Sequence, residues 1–193
     1  MNSTKDLILG NLRRNVRETY DRPDLSFAKL EYQDPVEAFV ETATTAAGAK
    51  VVRMKEGDDI NDLIHNAYPE AKIIASNVEG VKADRNPDDV ARPQDLDGTD
   101  VGVVEGTIAC AENACVWIPQ TMKEKAVCFI PEYLVVIVDR KNVVSNMHEA
   151  YARIVMPELG FGAFISGPSK TADIEQALVY GAQSCCGLTI ILR

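Results

Sequence analysis

The sequence predicts an α/β fold with a mixed, mostly parallel sheet flanked by helices. Helical and strand-like segments alternate over residues 34–75, which is the order of a parallel sheet with crossover helices. The unbroken aliphatic run at residues 134–138 is typical of a central strand covered on both faces. A short polar turn, Glu112–Asn113, separates two apolar runs and predicts a hairpin that makes the sheet mixed.

An amphipathic helix is predicted over residues 3–20, ahead of the α/β region. Ser3 or Thr4 is a suitable N-cap, and apolar side chains recur at helical spacing. This apolar stripe consists of Leu7, Ile8, Leu12 and Val16. We expect the stripe to pack on the chain's own domain, with a neighbouring subunit as the alternative. The chain is thus divided into a helical extension, residues 1–33, and an α/β domain, residues 34–193.

Caps, chain breakers and apolar runs predict the remaining elements. Asp34 and Pro35 start a helix that Gly48 ends, and Pro69 ends the helix that begins near Asp58. Helices are predicted at residues 34–47, 58–68, 121–126, 146–155 and 171–180. Strands are predicted at residues 49–54, 72–75, 99–104, 108–111, 114–118, 134–138, 160–165 and 188–192. Residues 77–99 are predicted to be a surface connection with one short helix, a rim or lid being the alternative.

Composition excludes several classes of protein. The chain has 193 residues, 46% of them hydrophobic, which suffices for the core of one domain. Its formal net charge is −9, so its surface repels phosphate backbones and nucleic acid is not an expected partner. No apolar run approaches the roughly 18 residues of a membrane span, and the N-terminus lacks the apolar segment of a signal peptide. We therefore expect a cytoplasmic protein without a membrane span.

Metal chemistry is not predicted for this chain. The cysteines are Cys110, Cys115, Cys128, Cys185 and Cys186. They are predicted to be reduced and mostly buried, with the adjacent pair Cys185–Cys186 the more exposed. Because no Cys-x-x-Cys motif occurs, neither an iron–sulfur nor another metal site is expected, and any cofactor is left unknown. His65 is predicted at the surface and His148 partly buried, and two histidines are too few for a His-rich metal site.

Residues 166–175 predict a strand, a tight turn and a helix N-terminus. The backbone N–H groups of such a terminus, together with Ser169, Lys170 and Thr171, are suited to bind a carboxylate or a phosphate. Asp173 and Glu175 follow in the same segment, and their negative charges disfavour a strongly anionic ligand. A purely structural turn explains the same residues, so both interpretations stay open.

Glu105 interrupts a mostly apolar segment beside a glycine. One interpretation is a catalytic carboxylate that faces a cleft and has a raised pKa. The other is a surface charge at the end of a strand. In the first case Thr107, Glu112 and Asn113 are expected to line the same cleft, together with residues 166–175.

Four segments carry a family resemblance, in the order Asp100–Thr107, Ala111–Trp117, Asn146–Tyr151 and Ser166–Glu175. Together they resemble the LUD-domain family and, within it, the lactate utilization protein C group, over most of residues 34–193. The resemblance implies a fold like that of the superfamily of glucosamine-6-phosphate deaminase, ribose-5-phosphate isomerase and CoA-transferase. It also implies a role beside iron–sulfur partner proteins that oxidise L-lactate to pyruvate.

One position departs from the family pattern. Members of the family carry a Gly-Ala-His-Gly-Pro-like stretch after the last predicted helix, where this chain has Gln183 in place of the histidine. Glutamine forms hydrogen bonds but does not carry a proton at neutral pH, so we count Gln183 as a candidate ligand contact only.

Three functions therefore stay open. The first is a component of lactate oxidation that binds a small anionic metabolite in a cleft, with Glu105 as the catalytic candidate. The second is a non-catalytic assembly or regulatory subunit. The third, by analogy of fold alone, is an enzyme acting on sugar phosphates or CoA. Whether the chain is an enzyme, and whether it forms a homo-oligomer, are left undecided.

Overall fold

A computed structural model describes residues 3–18, 20–21, 23–24, 30–171 and 179–193. In this part of the chain the α-helices are α1 (Thr4–Asn15), α2 (Pro35–Thr42), α3 (Ile60–Ala67) and α4 (Met147–Arg153). The strands are β1 (Lys50–Arg53), β2 (Ile74–Ser76), β3 (Val101–Glu105), β4 (Ile108–Cys110), β5 (Cys115–Pro119), β6 (Tyr133–Val138), β7 (Val143–Val144), β8 (Gly162–Ile165), β9 (Lys170–Thr171), β10 (Val179–Tyr180) and β11 (Gly187–Leu192). Short 3-10 helices span Pro93–Leu96, Lys125–Cys128 and Arg140–Asn142.

The main sheet has five parallel strands in the order β1-β11-β6-β3-β2. β6, the predicted central strand, lies between β11 and β3. Because successive side chains of a strand point to opposite faces, Val136 lies in one hydrophobic core and Val135 in the other. The predicted class, an α/β fold with a mostly parallel sheet flanked by helices, is confirmed.

A second sheet covers one face of the main sheet. Its strand order is β7-β4-β5-β8, and β4 and β5 form the predicted hairpin with Cys110 opposite Cys115. The antiparallel pairings of the hairpin therefore lie in this second layer and leave the main sheet parallel. Together with α2, the second sheet buries the face that carries Val136, and α3 packs on the opposite face through Ile64.

The predicted caps of α2 are confirmed. The carboxylate of Asp34 accepts hydrogen bonds from the backbone N–H groups of Val36 and Glu37, at 3.0 and 3.1 Å. A single π-helical turn, Ala43–Ala47, extends the helix to Gly48, whose φ of 75° closes it in the left-handed conformation. The helix therefore ends at Gly48, two residues before the first residue of β1, Lys50.

Residues 77–99 form the predicted surface connection, with a 3-10 helix at Pro93–Leu96. The guanidinium of Arg85 donates to the carbonyl oxygen of Asp97 at 2.6 Å and to the hydroxyl of Thr99 at 3.2 Å. The side chain of this arginine therefore ties the connection to the start of β3.

One predicted helix is wrong, and another is contradicted at its ends. The helix expected at residues 121–126 is replaced by the 3-10 helix Lys125–Cys128. The helix expected at residues 171–180 is contradicted at both ends, because β9 and β10 pair antiparallel with Thr171 opposite Val179. Residues 172–178, which contain the middle of this predicted helix, lie outside the described residues.

The N-terminal helix forms as predicted, but its apolar stripe is not covered. Ser3 and Asp6 complete a capping box at its start. None of the α1 side chains is buried against the described part of the chain, and Leu7 and Leu12 are 58% and 59% exposed. The expectation that the stripe packs on the chain's own domain is therefore wrong for the described residues. The division at residue 33 stays a prediction.

Two smaller points concern exposure and length. His65 is exposed as predicted. His148 is exposed as well, so the prediction that it is partly buried is wrong. Among the described helices, none has the length and apolar character that crossing a membrane requires.

The close approach of Gly167 to α2 generates a prediction. A Cβ atom added at Gly167 would lie 2.2 Å from the carbonyl oxygen of Ala47, whereas one added at Gly160 would meet no atom within 4 Å. The two glycines have nearly equal φ values of 71° and 69°. We expect Gly160→Ala to lower the free energy of unfolding by about 1 kcal/mol through backbone strain alone. Gly167→Ala should cost about 1–3 kcal/mol more, because the added methyl group overpacks the site.

Urea unfolding followed by circular dichroism measures both losses. Gly160→Ala is the matched control for the left-handed backbone. Equal losses in the two variants would contradict the prediction, because they would show that the site at Gly167 accommodates the added methyl group.

Candidate functional site

The residues predicted as a site lie at opposite edges of the main sheet. Glu105 ends β3 at the carboxyl edge, four residues beyond Val101 and hence about 13 Å along the strand. Ser169 lies at the amino edge, where its backbone N–H donates to the carbonyl oxygen of Cys185 at 3.0 Å, two residues before β11. The structure therefore does not bring Glu105 together with Ser169.

At the carboxyl edge, Thr107 lines a pocket of about 270 Å³ between the second sheet and the end of α4. Asn142, at the end of a 3-10 helix capped by Asp139, and Arg153, the last residue of α4, line the same pocket. Its apolar wall is formed by Ile108, Pro119 and Val155. We call this space the carboxyl-edge pocket.

The polar side chains of the carboxyl-edge pocket are available to a ligand. In the described part of the chain, the Thr107 hydroxyl, the Asn142 amide and the Arg153 guanidinium have no hydrogen-bond or ion-pair partner. The backbone N–H of Thr107 donates to the carbonyl oxygen of Trp117 at 2.9 Å, which holds the residue in place. Sequence reasoning found Thr107 but missed Asn142 and Arg153.

Glu105 lies near this edge but does not line the pocket. Its carboxylate forms an ion pair with the guanidinium of Arg193, and the two side chains are 42% and 47% exposed. Glu105 is the last residue of β3, and Arg193 directly follows β11; these two strands flank β6 on either side. This position agrees with the interpretation of Glu105 as a charge at the end of a strand.

Glu112 and Asn113 hold the hairpin turn against two other segments. The Glu112 carboxylate accepts a hydrogen bond from the backbone N–H of Met147 at 2.9 Å, at the start of α4. The carbonyl oxygen of Asn113 accepts one from the Ser166 hydroxyl at 2.7 Å. The predicted proximity of the hairpin to the segment that begins at residue 166 is therefore present, and both turn residues contribute to packing.

Lys170 caps the end of the α2 region. Its ammonium group donates to the carbonyl oxygens of Ala47 at 2.6 Å and of Ala46 at 3.2 Å. These are carbonyl groups that the end of a helix leaves without an intrahelical partner. The side chain predicted to bind an anion is therefore engaged by the protein backbone.

Ser169 and Gln183 meet across the β9–β10 ladder. The backbone N–H of Gln183 lies 3.4 Å from the Ser169 hydroxyl, and Gly181 donates its N–H to the Ser169 carbonyl oxygen at 3.1 Å. The side chain of Gln183 is exposed. The backbone of Thr171 belongs to β9, and not to a helix N-terminus as predicted. Two of the predicted ligand contacts, Ser169 and Gln183, therefore lie close together, and their role as ligand contacts stays a prediction.

A larger cavity, of about 390 Å³, lies at the amino edge of the main sheet. Its charged and aromatic lining consists of Lys50, Tyr68, Glu70, Asp100, Glu132 and Tyr133. We call it the amino-edge cavity. Sequence reasoning missed it, because its two tyrosines are 65 positions apart; the only local signal is an acidic residue close to each, in Tyr68-Pro69-Glu70 and Glu132-Tyr133.

Hydrogen bonds order the lining of this cavity. The centroids of the Tyr68 and Tyr133 rings are 4.6 Å apart, and the Tyr68 hydroxyl lies 2.9 Å from the hydroxyl of the fully buried Thr189. Burial raises the pKa of Tyr68, and a hydrogen bond with Glu132 raises the pKa of Tyr133. Both phenols are therefore neutral near pH 7.

Asp100 lies at the junction of β2 and β3. One of its carboxylate oxygens accepts hydrogen bonds from the backbone N–H groups of Ile73 and Lys72, both at 2.8 Å. These bonds favour the charged form and lower the pKa of Asp100 below its ordinary value.

The thiols differ in exposure. Cys110, Cys115, Cys128 and Cys185 are buried, and Cys186 is exposed, as expected for one member of the adjacent pair. Burial raises the pKa of Cys128 to about 12 and also raises the pKa of Cys185.

The comparisons with known proteins identify the family. The LUD domain model matches residues 88–192, more than half of the chain. The chain belongs to the LUD domain family. The resemblance seen in the sequence is thereby confirmed.

Two curated relatives match part of the chain. Lactate utilization protein C of Shouchella clausii (strain KSM-K16) is 36% identical over 89 residues, and that of Geobacillus thermodenitrificans (strain NG80-2) is 29% identical over 130 residues. These matches cover 42% and 63% of this LUD-domain chain. The chain spans 38% and 51% of the length of these two relatives.

A solved structure supports the fold. A DUF162 family protein from Deinococcus radiodurans matches with a TM-score of 0.62 at 14% identity, over 85% of this chain and 99% of that chain. At this identity the likeness concerns the fold alone.

The difference in thiol exposure predicts selective labelling. We expect Cys186 to react first with an aromatic disulfide reagent under native conditions, because the other thiols are buried. Absorbance of the released thiolate measures the rate. Cys186→Ser should remove the fast phase, whereas Cys128→Ser should leave it intact. A fast phase that persists without Cys186 contradicts the burial pattern.

The lowered pKa of Asp100 predicts a pH-dependent contribution to stability. Since the folded-state pKa lies below the unfolded value, the stabilisation is complete above the unfolded pKa of about 4 and is lost as the pH falls through the folded pKa. Asp100→Asn should cost about 1 kcal/mol at pH 7, and this loss should shrink toward zero in acid. Urea unfolding at a series of pH values measures it.

Asp89→Asn is the control for this pH series. It removes the same charge from an exposed side chain that has no side-chain hydrogen bond in the described part of the chain. A loss at Asp100 that is independent of pH would exclude the carboxylate as its cause.

Proposed function

We propose that this LUD-domain protein takes part in lactate utilization by binding a small carboxylate in the carboxyl-edge pocket. The names of the two curated relatives support the general role. One observation carries the assignment of the site: the guanidinium of Arg153 lines a pocket without a protein partner in the described part of the chain.

The chemistry of the pocket fits a short hydroxy or keto acid. A guanidinium presents parallel N–H donors that match the two oxygens of a carboxylate. The Thr107 hydroxyl and the Asn142 amide can each donate to or accept from a neighbouring hydroxyl or carbonyl oxygen. Ile108 and Val155 supply an apolar wall for a methyl group. Lactate and pyruvate contain these three features.

The position of the pocket agrees with this assignment. Ligands of open parallel sheets bind beyond the carboxyl ends of the strands, which is the edge where Thr107 follows β3. The ion pair between Glu105 and Arg193 lies at the same edge. In this proposal Glu105, which lies at this edge without lining the pocket, is the candidate acceptor of a proton released from a bound hydroxy acid.

Oxidation of lactate to pyruvate releases two electrons and two protons. We propose that iron–sulfur partner proteins accept the electrons, while this chain binds and orients the acid. One proton passes to Glu105 and the other to solvent. Within this division of work, the residues of the carboxyl-edge pocket determine affinity, and Glu105 affects turnover in the assembled system.

A second candidate function is that of a non-catalytic assembly subunit. The observation that favours it is the uncovered apolar stripe of α1, in which Leu7 and Leu12 are more than half exposed. Gln183, in the position of the family's histidine, agrees with it. An assembly subunit should retain its partners but show no binding of lactate or pyruvate.

Isothermal titration calorimetry with lactate and pyruvate tests the proposal. We expect Arg153→Gln to weaken binding by about tenfold to a hundredfold, the effect of losing a charged hydrogen-bond donor. Lactamide, which has the shape of lactate without its charge, should bind far more weakly to the wild type.

Arg92→Gln is the matched control, because it removes an arginine whose ion pair, with Asp95, lies at the surface and outside the pocket. Unchanged affinity in Arg153→Gln would exclude the carboxyl-edge pocket as the site. Absence of binding to the wild type would favour the assembly function.

A further inference from the structure

We propose that the amino-edge cavity is a second ligand site, selective for small organic cations with a flat or apolar body. The cavity of about 390 Å³ lies at the edge of the main sheet opposite Thr107 and Arg153. This size is within the range of protein pockets that hold small organic ligands. The inference does not rest on the proposed function, since the two spaces share no lining residue.

The walls of the cavity are aromatic and held in place. The rings of Tyr68 and Tyr133 lie 4.6 Å apart at an angle of 30°. Tyr68 is anchored by its hydrogen bond with the buried Thr189, and the backbone of Tyr133 begins the central strand β6. A ligand with a flat body therefore meets ring surface that needs no rearrangement before binding.

The charge of the lining selects the sign of the ligand. Glu70, Asp100 and Glu132 contribute three carboxylates to the cavity, and Lys50 contributes one ammonium group. The ammonium of Lys50 lies 5.7 Å from the centroid of the Tyr68 ring, so a cation already occupies a place over an aromatic face here. The excess of two negative charges attracts a cation and repels an anion.

The carboxylates retain capacity for a ligand. Asp100 uses one oxygen for the backbone N–H groups of Lys72 and Ile73, which leaves its other oxygen without a partner in the described residues. Glu70 has no hydrogen bond or ion pair within the described part of the chain. A primary ammonium or an amidinium group fits this set, because it donates several hydrogen bonds at once while its body lies against the tyrosines.

Three probes with the same phenyl ring and similar size separate the effect of charge from that of the apolar body: benzylammonium, benzyl alcohol and benzoate. Saturation-transfer NMR at pH 7 measures their binding to the full chain. We expect benzylammonium to bind at least tenfold more tightly than benzyl alcohol, and benzoate to bind more weakly than both. The proposal would be overturned if benzylammonium and benzoate bound equally well. It would also be overturned if benzylammonium showed no binding at a concentration of about 10 mM.

A double variant locates the site. Glu70→Gln with Glu132→Gln should lower the affinity for benzylammonium at least fivefold. Glu56→Gln with Glu158→Gln makes the same change in net charge at exposed positions outside the cavity and should alter affinity less than twofold. Equal effects of the two double variants would overturn the site, because only the overall charge would then matter. If the first double variant fails to fold, Glu70→Gln alone, at an exposed side chain, decides the same question.

Discussion

The burial of β6 on both faces is the constraint on which the rest of the structure depends. Leu134, Val136 and Val138 belong to one core and Val135 and Ile137 to the other. Burial of each such side chain contributes about 1.5–3 kcal/mol, so neither face can be left to water. One face is covered by α2 and the second sheet, and the other is covered by α3 and the segments around it. Polar chemistry is therefore confined to the two edges of the main sheet.

The same constraint positions the tyrosines of the amino-edge cavity. Thr189, in β11 beside β6, is fully buried, and a buried hydroxyl without a hydrogen bond is costly. The hydroxyl of Tyr68 meets this need at 2.9 Å, which brings its ring to the start of the sheet and against Tyr133. The aromatic wall of the cavity thus follows from the packing of the core, and its acidic rim is added by the loops.

The elements that could be predicted from the sequence are those determined by interactions between residues close together in the chain. The cap at Asp34, the hairpin and the central strand all depend on neighbouring residues, and all are present. The helix expected from Thr171 is wrong at its ends because pairing with Val179 overrides the local preference. Of the carboxyl-edge pocket, Thr107 was named from the sequence, whereas Arg153 reaches the pocket through the length and direction of α4.

The net charge of the chain does not determine which ligand binds in the carboxyl-edge pocket or in the amino-edge cavity. The chain has a formal net charge of −9, yet Arg153 lines the carboxyl-edge pocket, and basic residues follow both β6 and β11 there. The amino-edge cavity has three carboxylates against one ammonium group. β6 is six residues long, so the two edges are about 20 Å apart. This distance exceeds the screening length of about 8 Å at physiological ionic strength, and each ligand therefore responds to the charges of its own edge.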